Sequence, residues 1–536
     1  MNRAGAFGIA VEFQQPLGCH FLGCESGQEE LIDGSSATAS TKSSLPSERK
    51  DVGMIGGRRV VVLGFGAVGQ CTVPLLIRDR GFAPSQITIL EFEDNRHRLG
   101  DLIDSGIVYE SIRITKHNLD EELAKHLARG DVLLDLAWNI DACAIIQWCH
   151  DKGVHYLNTS VEEWDPYDNC DVIDPRDRTL YVRHMQIREM MKSWREPGVS
   201  GVVEHGANPG LVSHFAKQAL WEIANRMLVD GLGNRPSIEN ALSNDDHATL
   251  CRLTGTKVIH ISERDTQVSI TPKRPNEFVN SWSIEGLYEE GIAPAEIGWG
   301  THEKHLPVDS YLHEGDGPRN QICLARAGIQ TRVRSWVPNG GPIVGMVIRH
   351  GEAFTISEHL SSFDDSGRLL HRPTVHYAYC PTDAAIASIH ELLGRQWTVQ
   401  DERRVMNDDI THGEDELGVL LMGHPYGAWW TGTQLSIVEA RRHVTGQNAT
   451  TLQVASSIMG AIDWMLSDPE RGLCVPDQLP WRQVLAVARP YLGNVHSGPS
   501  DWNPVGHGRD VFAKWRTTPH GSDPSDPWQF GNFLLD

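Results

Sequence analysis

The stretch "NSWSIEGLYEEG", residues 280–291, sets Trp282 and Tyr288 among Glu285, Glu289 and Glu290. On a regular helix Trp282, Glu285 and Glu289 fall at i, i+3 and i+7 and share one face. An indole face beside converging carboxylates is the chemistry that holds an organic cation. The same spacing also describes a solvated helix with one aromatic anchor. Further acids recur elsewhere: Glu162, Glu163 and Asp165 around Trp164 in "LNTSVEEWDPYDN", Glu263 and Asp265 in "ISERDTQ", His350 and Glu352 in "IRHGEAFTI", and Asp409, Glu414, Asp415 and Glu416 in "DITHGEDELG". Taken singly, each suits a solvated charge or a salt bridge. Their association with aromatic-rich, turn-bounded segments makes them candidates. Glu162 also lies just past the end of an expected parallel strand, where open α/β sheets bind ligands.

A second chemistry is written in "VVVLGFGAVGQ", where Gly64, Gly66 and Gly69 form G-x-G-x-x-G and Ala67 and Val68 complete the turn. The motif sits between an apolar strand and a helix, so the glycines permit a tight turn and the helix N-terminus faces a pyrophosphate. The next strand ends in Glu91, placed to bond a ribose diol and repel a 2′-phosphate. NAD is therefore expected over NADP, although Arg96 and Arg98 nearby keep that choice open. "THEKHLP" is H-E-x-H, one residue short of the zincin spacing, and "HRPTVHYAY" has no metal-ligand spacing, so no metal is expected. There is no P-loop and no G-x-S-x-G elbow.

The elements that must position these residues alternate. "RRVVVLG", "QITILEF", "DVLLDLA" and "VHYLNTS" read as strands, separated by the helical "AVGQCTVPLLIRD", "LDEELAKHLARG" and "DACAIIQWCHDKG". That order predicts an α/β fold: a Rossmann-type, doubly wound parallel sheet with a second, α+β substrate domain. We expect a flexible extension over 1–57, a nucleotide domain over 58–224, a substrate domain over 225–447 and a C-terminal segment over 468–536. A helix at about 448–467 is placed to return to the first domain. "GVVEHG" reads as a further strand, and "VGMVIRHGEAFTISEHLSSF" as strand-like pieces.

Composition bounds the function. The chain has 536 residues, enough for two or three domains, and 48 basic against 70 acidic residues give a formal charge of −22. That charge disfavours a nucleic-acid or anionic-membrane partner and suits a cationic ligand. Ten scattered cysteines without a C-x-x-C pair suit a reducing, cytoplasmic compartment. No apolar run approaches the ~20 residues that span a bilayer, and no secretion signal is evident. The sequon Asn448-Ala449-Thr450 is expected to be incidental.

Together "GANPGLVSHFAKQAL", "HISERDTQVS", "NSWSIEGLYEEGIAPAEIGWGTHE", "RHGEAFTISE", "RPTVHYAYCPTDAAIASIHE" and "DELGVLLMGHPYGAWWTGTQLS" resemble bacterial-type homospermidine synthase, over about residues 58–505. The nucleotide domain is more distantly similar to saccharopine and carboxynorspermidine dehydrogenases. The resemblance implies an enzyme joining two putrescine molecules into sym-homospermidine with release of ammonia, or using spermidine as aminobutyl donor with release of diaminopropane. It also implies retained, recycled NAD and a homodimer. Residue by residue it implies Trp282, Glu290, His350 and Asn208 as catalytic, and Glu162, Glu263, Glu352 and Asp415 as substrate-binding. Asn139, Thr159, Asn208 and Pro209 join the glycine turn and Glu91 on the cofactor side. In "LAWNIDA" the family often has an acid where this chain has Asn139. The alternatives are a saccharopine-type dehydrogenase with net redox turnover, whose carboxylate clamp would use Arg332 and Arg334, and a catalytically silent NAD-binding protein.

Overall fold

The computed structural model describes residues 56–535 apart from 167, 169–171, 506–512 and 516–524. All but the last two residues of the expected extension, 1–57, lie outside it. The first sheet is built from β1 (Val60–Leu63), β2 (Ile87–Glu91), β3 (Val108–Ser111), β4 (Val132–Asp135), β5 (His155–Asn158) and β6 (Gly201–Val202). Its order is β6-β5-β4-β1-β2-β3, all parallel, and Leu473–Cys474 adds a seventh strand beside β6. β1 is apolar and fully buried because helices cover both faces of the sheet. The chain leaves β1 toward β2 and β3, then returns to β4 on the other side. That reversal opens a crevice at the C-terminal ends of β1 and β4.

The helix α1 (Ala67–Arg80) follows β1 directly. Against it packs the late helix Ala449–Ser467, whose Leu452, Ile458, Met459 and Ile462 share a core with Val60, Val62 and Ile87. Asn448 caps that helix and is fully buried, accepting from Thr451 N–H at 2.8 Å and donating to Ser281 O at 2.6 Å. The sequon asparagine is thus enclosed in the core rather than presented to solvent.

The second domain is a mixed sheet crossed by helices. Its central strand β7 (Val258–Asp265) runs parallel to Thr374–Cys380 and antiparallel to Glu414–Met422. Strand periodicity puts Glu263 and Asp265 on one face, and the registers bring Tyr379 beside Glu263 and Asp415 opposite Asp265. The 20-residue helix Leu211–Asp230 buries thirteen of its residues beneath this sheet, so it anchors the preceding G-A-N-P-G turn.

Two local readings are corrected. Residues 344–363 are not all strand: Gly341–Met346 is, but Glu352–His359 is a helix. Its residues Ala353–Ser357 are all buried, so no amphipathic period shows and the apolar run mimics a strand. The helix in the opening stretch begins only at Ile284, capped by Ser283. Trp282 therefore lies outside it, and the shared face with Glu285 and Glu289 does not form.

Candidate active site

Gly64, Gly66, Ala67, Val68 and Gly69 line a groove of about 1510 Å³ along the crevice, together with Glu91 and Asn139. Gly64 has φ +91°, and a Cβ on it would come within 2.7 Å of Leu136 O, so only glycine makes this turn. Glu91 accepts N–H bonds from Phe65 at 2.5 Å and Phe92 at 2.8 Å, which ties the end of β2 to the glycine turn. Asn139 has φ +61°, a conformation asparagine tolerates, and its Oδ1 accepts Asp165 N–H at 2.5 Å.

The groove runs into a chamber of about 930 Å³, and Val68, Leu136, Ala137, Trp138 and Ser283 line both. Glu162, Thr159, Asn208, Pro209, Glu263, Trp282, Glu290 and His350 all face this chamber. Thr159, Asn208 and Pro209 thus stand on the chamber side of the shared wall, beyond the groove itself.

Trp282 donates its indole N–H to Tyr379 Oη at 2.8 Å, which fixes the ring. A Cβ at Gly286 would come within 2.9 Å of that ring, so the glycine lets the indole lie against the helix Ile284–Ile292. Glu263 is bonded by Tyr377 O–H and by Asn208 Nδ2 at 3.0 Å. Burial pushes its pKa up to about 8, against those bonds and with help from Asp265. Glu162 is likewise pushed up to about 8, first by desolvation and then by the charge of Glu289. Its Oε1 accepts from Ser160 O–H at 2.8 Å, whereas its buried Oε2 has no protein partner.

The neighbouring acids of the opening stretch have opposite environments. Glu289 is clamped by Arg183 at 2.9 Å and by Arg349. Despite burial, Arg349 and Arg183 hold its carboxyl below the usual range. Glu290 instead bonds His350 Nε2 at 3.1 Å, and His350 Nδ1 reaches Glu352 at 3.2 Å. Burial opposes a charge on His350, but Glu352 and Glu290 hold the imidazole well above its ordinary value. Glu285 lies on the groove rather than the chamber and pairs with Arg403 at 2.5 Å.

Glu352 and Asp415 stand behind the lining residues. Asp415 accepts from Thr450 O–H at 2.6 Å, and Thr450 faces the chamber. Asp409, Glu414 and Glu416 are engaged elsewhere, with Arg404, Asn339 and Gly340 respectively. Glu163 pairs with Arg183. Arg332 and Arg334 lie on a strand that pairs with Leu534–Leu535, and Arg334 donates to Asn532 O, so they form no clamp in this chamber. His302 and His376 bond the carbonyls of Trp528 and Tyr377. Among the described residues no cluster of His, Cys, Asp and Glu suits a metal ion. Likewise none of their helices is long and apolar enough to cross a membrane.

Residues 60–202 match the model of the saccharopine dehydrogenase NADP-binding domain, and 206–498 that of the saccharopine dehydrogenase C-terminal domain. Homospermidine synthase of Mesorhizobium japonicum is 37% identical over 89% of this chain and 96% of its own. That of Blastochloris viridis is 36% identical over 89% and 97%. The chain belongs to the homospermidine synthase family. A solved homospermidine synthase from Legionella pneumophila, crystallised in complex with NAD, matches with a TM-score of 0.78 and 38% identity over 89% of this chain and 98% of that one.

Some residues of this family member's site escaped sequence reasoning. Tyr377 and Tyr379 hold Glu263 and Trp282, and their rings stack at 5.1 Å. Their i, i+2 spacing in "TVHYAYC" is a strand signal that puts both on one face. Arg183, Arg349 and Thr450 carry no such local signal; tertiary packing alone brings Thr450 to the chamber and the two arginines to Glu289.

Proposed function

We propose that this chain is a homospermidine synthase that uses retained NAD to join two putrescine units, or putrescine and spermidine, into sym-homospermidine. The observation that carries the reading is the chamber itself. An indole and three carboxylates, Glu162, Glu263 and Glu290, face a cavity continuous with a dinucleotide groove. The nearby cations Arg183 and Arg349 are engaged by Glu289. Such a lining selects a diamine over an amino-acid carboxylate.

The groove residues fit NAD: the glycine turn admits a pyrophosphate, and Glu91 offers a ribose acceptor and repels a 2′-phosphate. When bound, NAD takes a hydride from the amine-bearing carbon and returns it after the new C–N bond has formed. Glu290 receives the proton that the reacting ammonium must first lose, because the nitrogen lone pair drives C–H cleavage. His350, bonded to both Glu290 and Glu352, holds Glu290 in place and shares that proton. The Trp282 face stabilises the substrate iminium by about 2 kcal/mol without offering a nucleophile. The second amine then displaces ammonia from the iminium carbon. Glu263, fixed by Asn208 and Tyr377, and Glu162 hold the distal ammonium groups. Glu352 and Asp415 support this lining from behind, and Thr159, Asn208 and Pro209 shape the wall where nicotinamide and amine meet. Residues 58–224 with the helix Ala449–Ser467 form the cofactor half of this reading, and 225–447 the substrate half.

A homodimer and a cytoplasmic location complete the proposal. The family resemblance supports the first, and free thiols at the described cysteines the second. The test is product analysis with putrescine and catalytic NAD. Homospermidine and ammonia in large excess over NAD, without accumulating NADH, are expected. NADH rising in step with an oxidised amine would overturn the reading in favour of a net dehydrogenase.

A further inference from the structure

Behind Glu290 the chamber extends into a narrow recess lined by Glu162, Glu204, Glu290, His350 and Gly351. A separate cavity of about 870 Å³ lies beyond it, lined by His184, Arg188, Val203, Glu358 and His359 and reaching the surface at exposed Gln478. The two cavities share no lining residue. One hydrogen bond spans the partition: His184 Nε2 and Glu204 Oε2 are 2.7 Å apart, with Glu204 facing the recess and His184 the outer cavity.

The pair is built into the wall. Both residues are 2% exposed, too buried to be ordinary surface charges. Glu204 has φ +57°, a strained conformation for glutamate, and its N–H is held by Asn158 Oδ1 at 2.7 Å. Val203 faces the outer cavity while Glu204 faces inward. Gly351, between His350 and Glu352, packs so closely on Glu204 that any Cβ there would overlap the carboxylate.

The reaction gives such a pair a task. Two protons leave the substrates before bonds form: one from the ammonium that becomes the hydride donor, one from the ammonium whose amine attacks the iminium. Two return at the end, one to the departing ammonia and one to the new secondary amine. No net proton is made, but Glu290, the one base in this reading, takes only one of the two in the interval. Glu162 and Glu263 are occupied with the distal ammonium groups.

We propose that Glu204 and His184 form a proton relay between the recess beside His350 and the outer cavity, carrying the second proton out and back. This inference rests on the homospermidine synthase reading. The test uses the full-length protein with NAD and putrescine. His184→Ala is expected to lower kcat at least about tenfold with little change in putrescine KM, and imidazole entering the outer cavity restores turnover. His184→Gln keeps the packing and can still donate to Glu204 but cannot relay, so it must be as slow as His184→Ala. A His184→Gln protein with parental kcat, or a slow His184→Ala that imidazole does not restore, would overturn the relay alone. A parent that makes no homospermidine would overturn the reading beneath it.

Discussion

Replacing Trp282 separates electrostatic stabilisation of the intermediate from simple enclosure. Trp282 faces the chamber but not the cofactor groove, so a change there acts on the amine and leaves NAD binding intact. Leucine in its place keeps an apolar wall and removes the π face. A desolvated cation over an indole gains about 2 kcal/mol. At about 1.4 kcal/mol per factor of ten, Trp282→Leu is expected to lower kcat roughly 30-fold. Trp282→Phe keeps a face of weaker quadrupole and loses the N–H bond to Tyr379, so its kcat falls between the two. The assay is steady-state homospermidine formation by mass spectrometry, with NAD affinity followed by fluorescence and folding by thermal melting. A Trp282→Leu protein that melts normally and keeps kcat within about threefold of the parent would refute the cation-stabilising role, since less than about 0.7 kcal/mol would then be at stake.

Other perturbations follow from the same geometry. Glu290→Gln should cut kcat by about 100-fold or more with little change in melting temperature, since it would remove the proposed general base, which is held mainly by His350. Glu289→Gln should instead destabilise the fold by about 3–5 kcal/mol, seen as a lowered melting temperature, because it strips Arg183 and Arg349 of a shared buried partner. If the two variants behave alike, the division of labour between these neighbours is wrong. Glu162 and Glu263 have pKa values raised from 4.5 to about 8. A raised carboxyl favours the folded state fully below the unfolded pKa, and that contribution is lost as pH climbs through about 8. The ligand-free protein should therefore melt lower at pH 9 than at pH 6, Glu263→Gln should flatten the dependence, and a bound diamine should offset it; an unchanged profile would contradict the burial of these carboxyls. Glu91→Ala should weaken NAD binding and narrow its advantage over NADP, measurable by calorimetry, because the ribose acceptor and the anchor of Phe65 N–H are lost together.

The cofactor half was legible because its signals are local. An apolar strand, three glycines and an acid at the end of the next strand all lie within a short span, and each has a direct backbone consequence. The chamber was legible only as residue types. Glu289 and Glu290 are adjacent in sequence, and nothing near them says that one meets two arginines while the other meets His350; those partners come from 60 or more residues away. The helix Glu352–His359 was hidden because it is buried all round, so its period vanished. The i, i+3, i+7 spacing puts Trp282 on a helix that starts two residues later, at a serine cap whose signal, Ser283 before an apolar helix, is present in the sequence. Glu204 gave no signal, since its role depends on a backbone twist and on Gly351 reaching it from another domain element.

In the proposed reaction the hydride is borrowed and returned within one chamber. Putrescine deuterated at both amine-bearing carbons, given with catalytic unlabelled NAD, tests it directly. Homospermidine should keep every deuterium of its two precursors, because the transferred deuteride goes back to the carbon it left. Product lacking one deuterium, with label accumulating in free NADH or water, would contradict it.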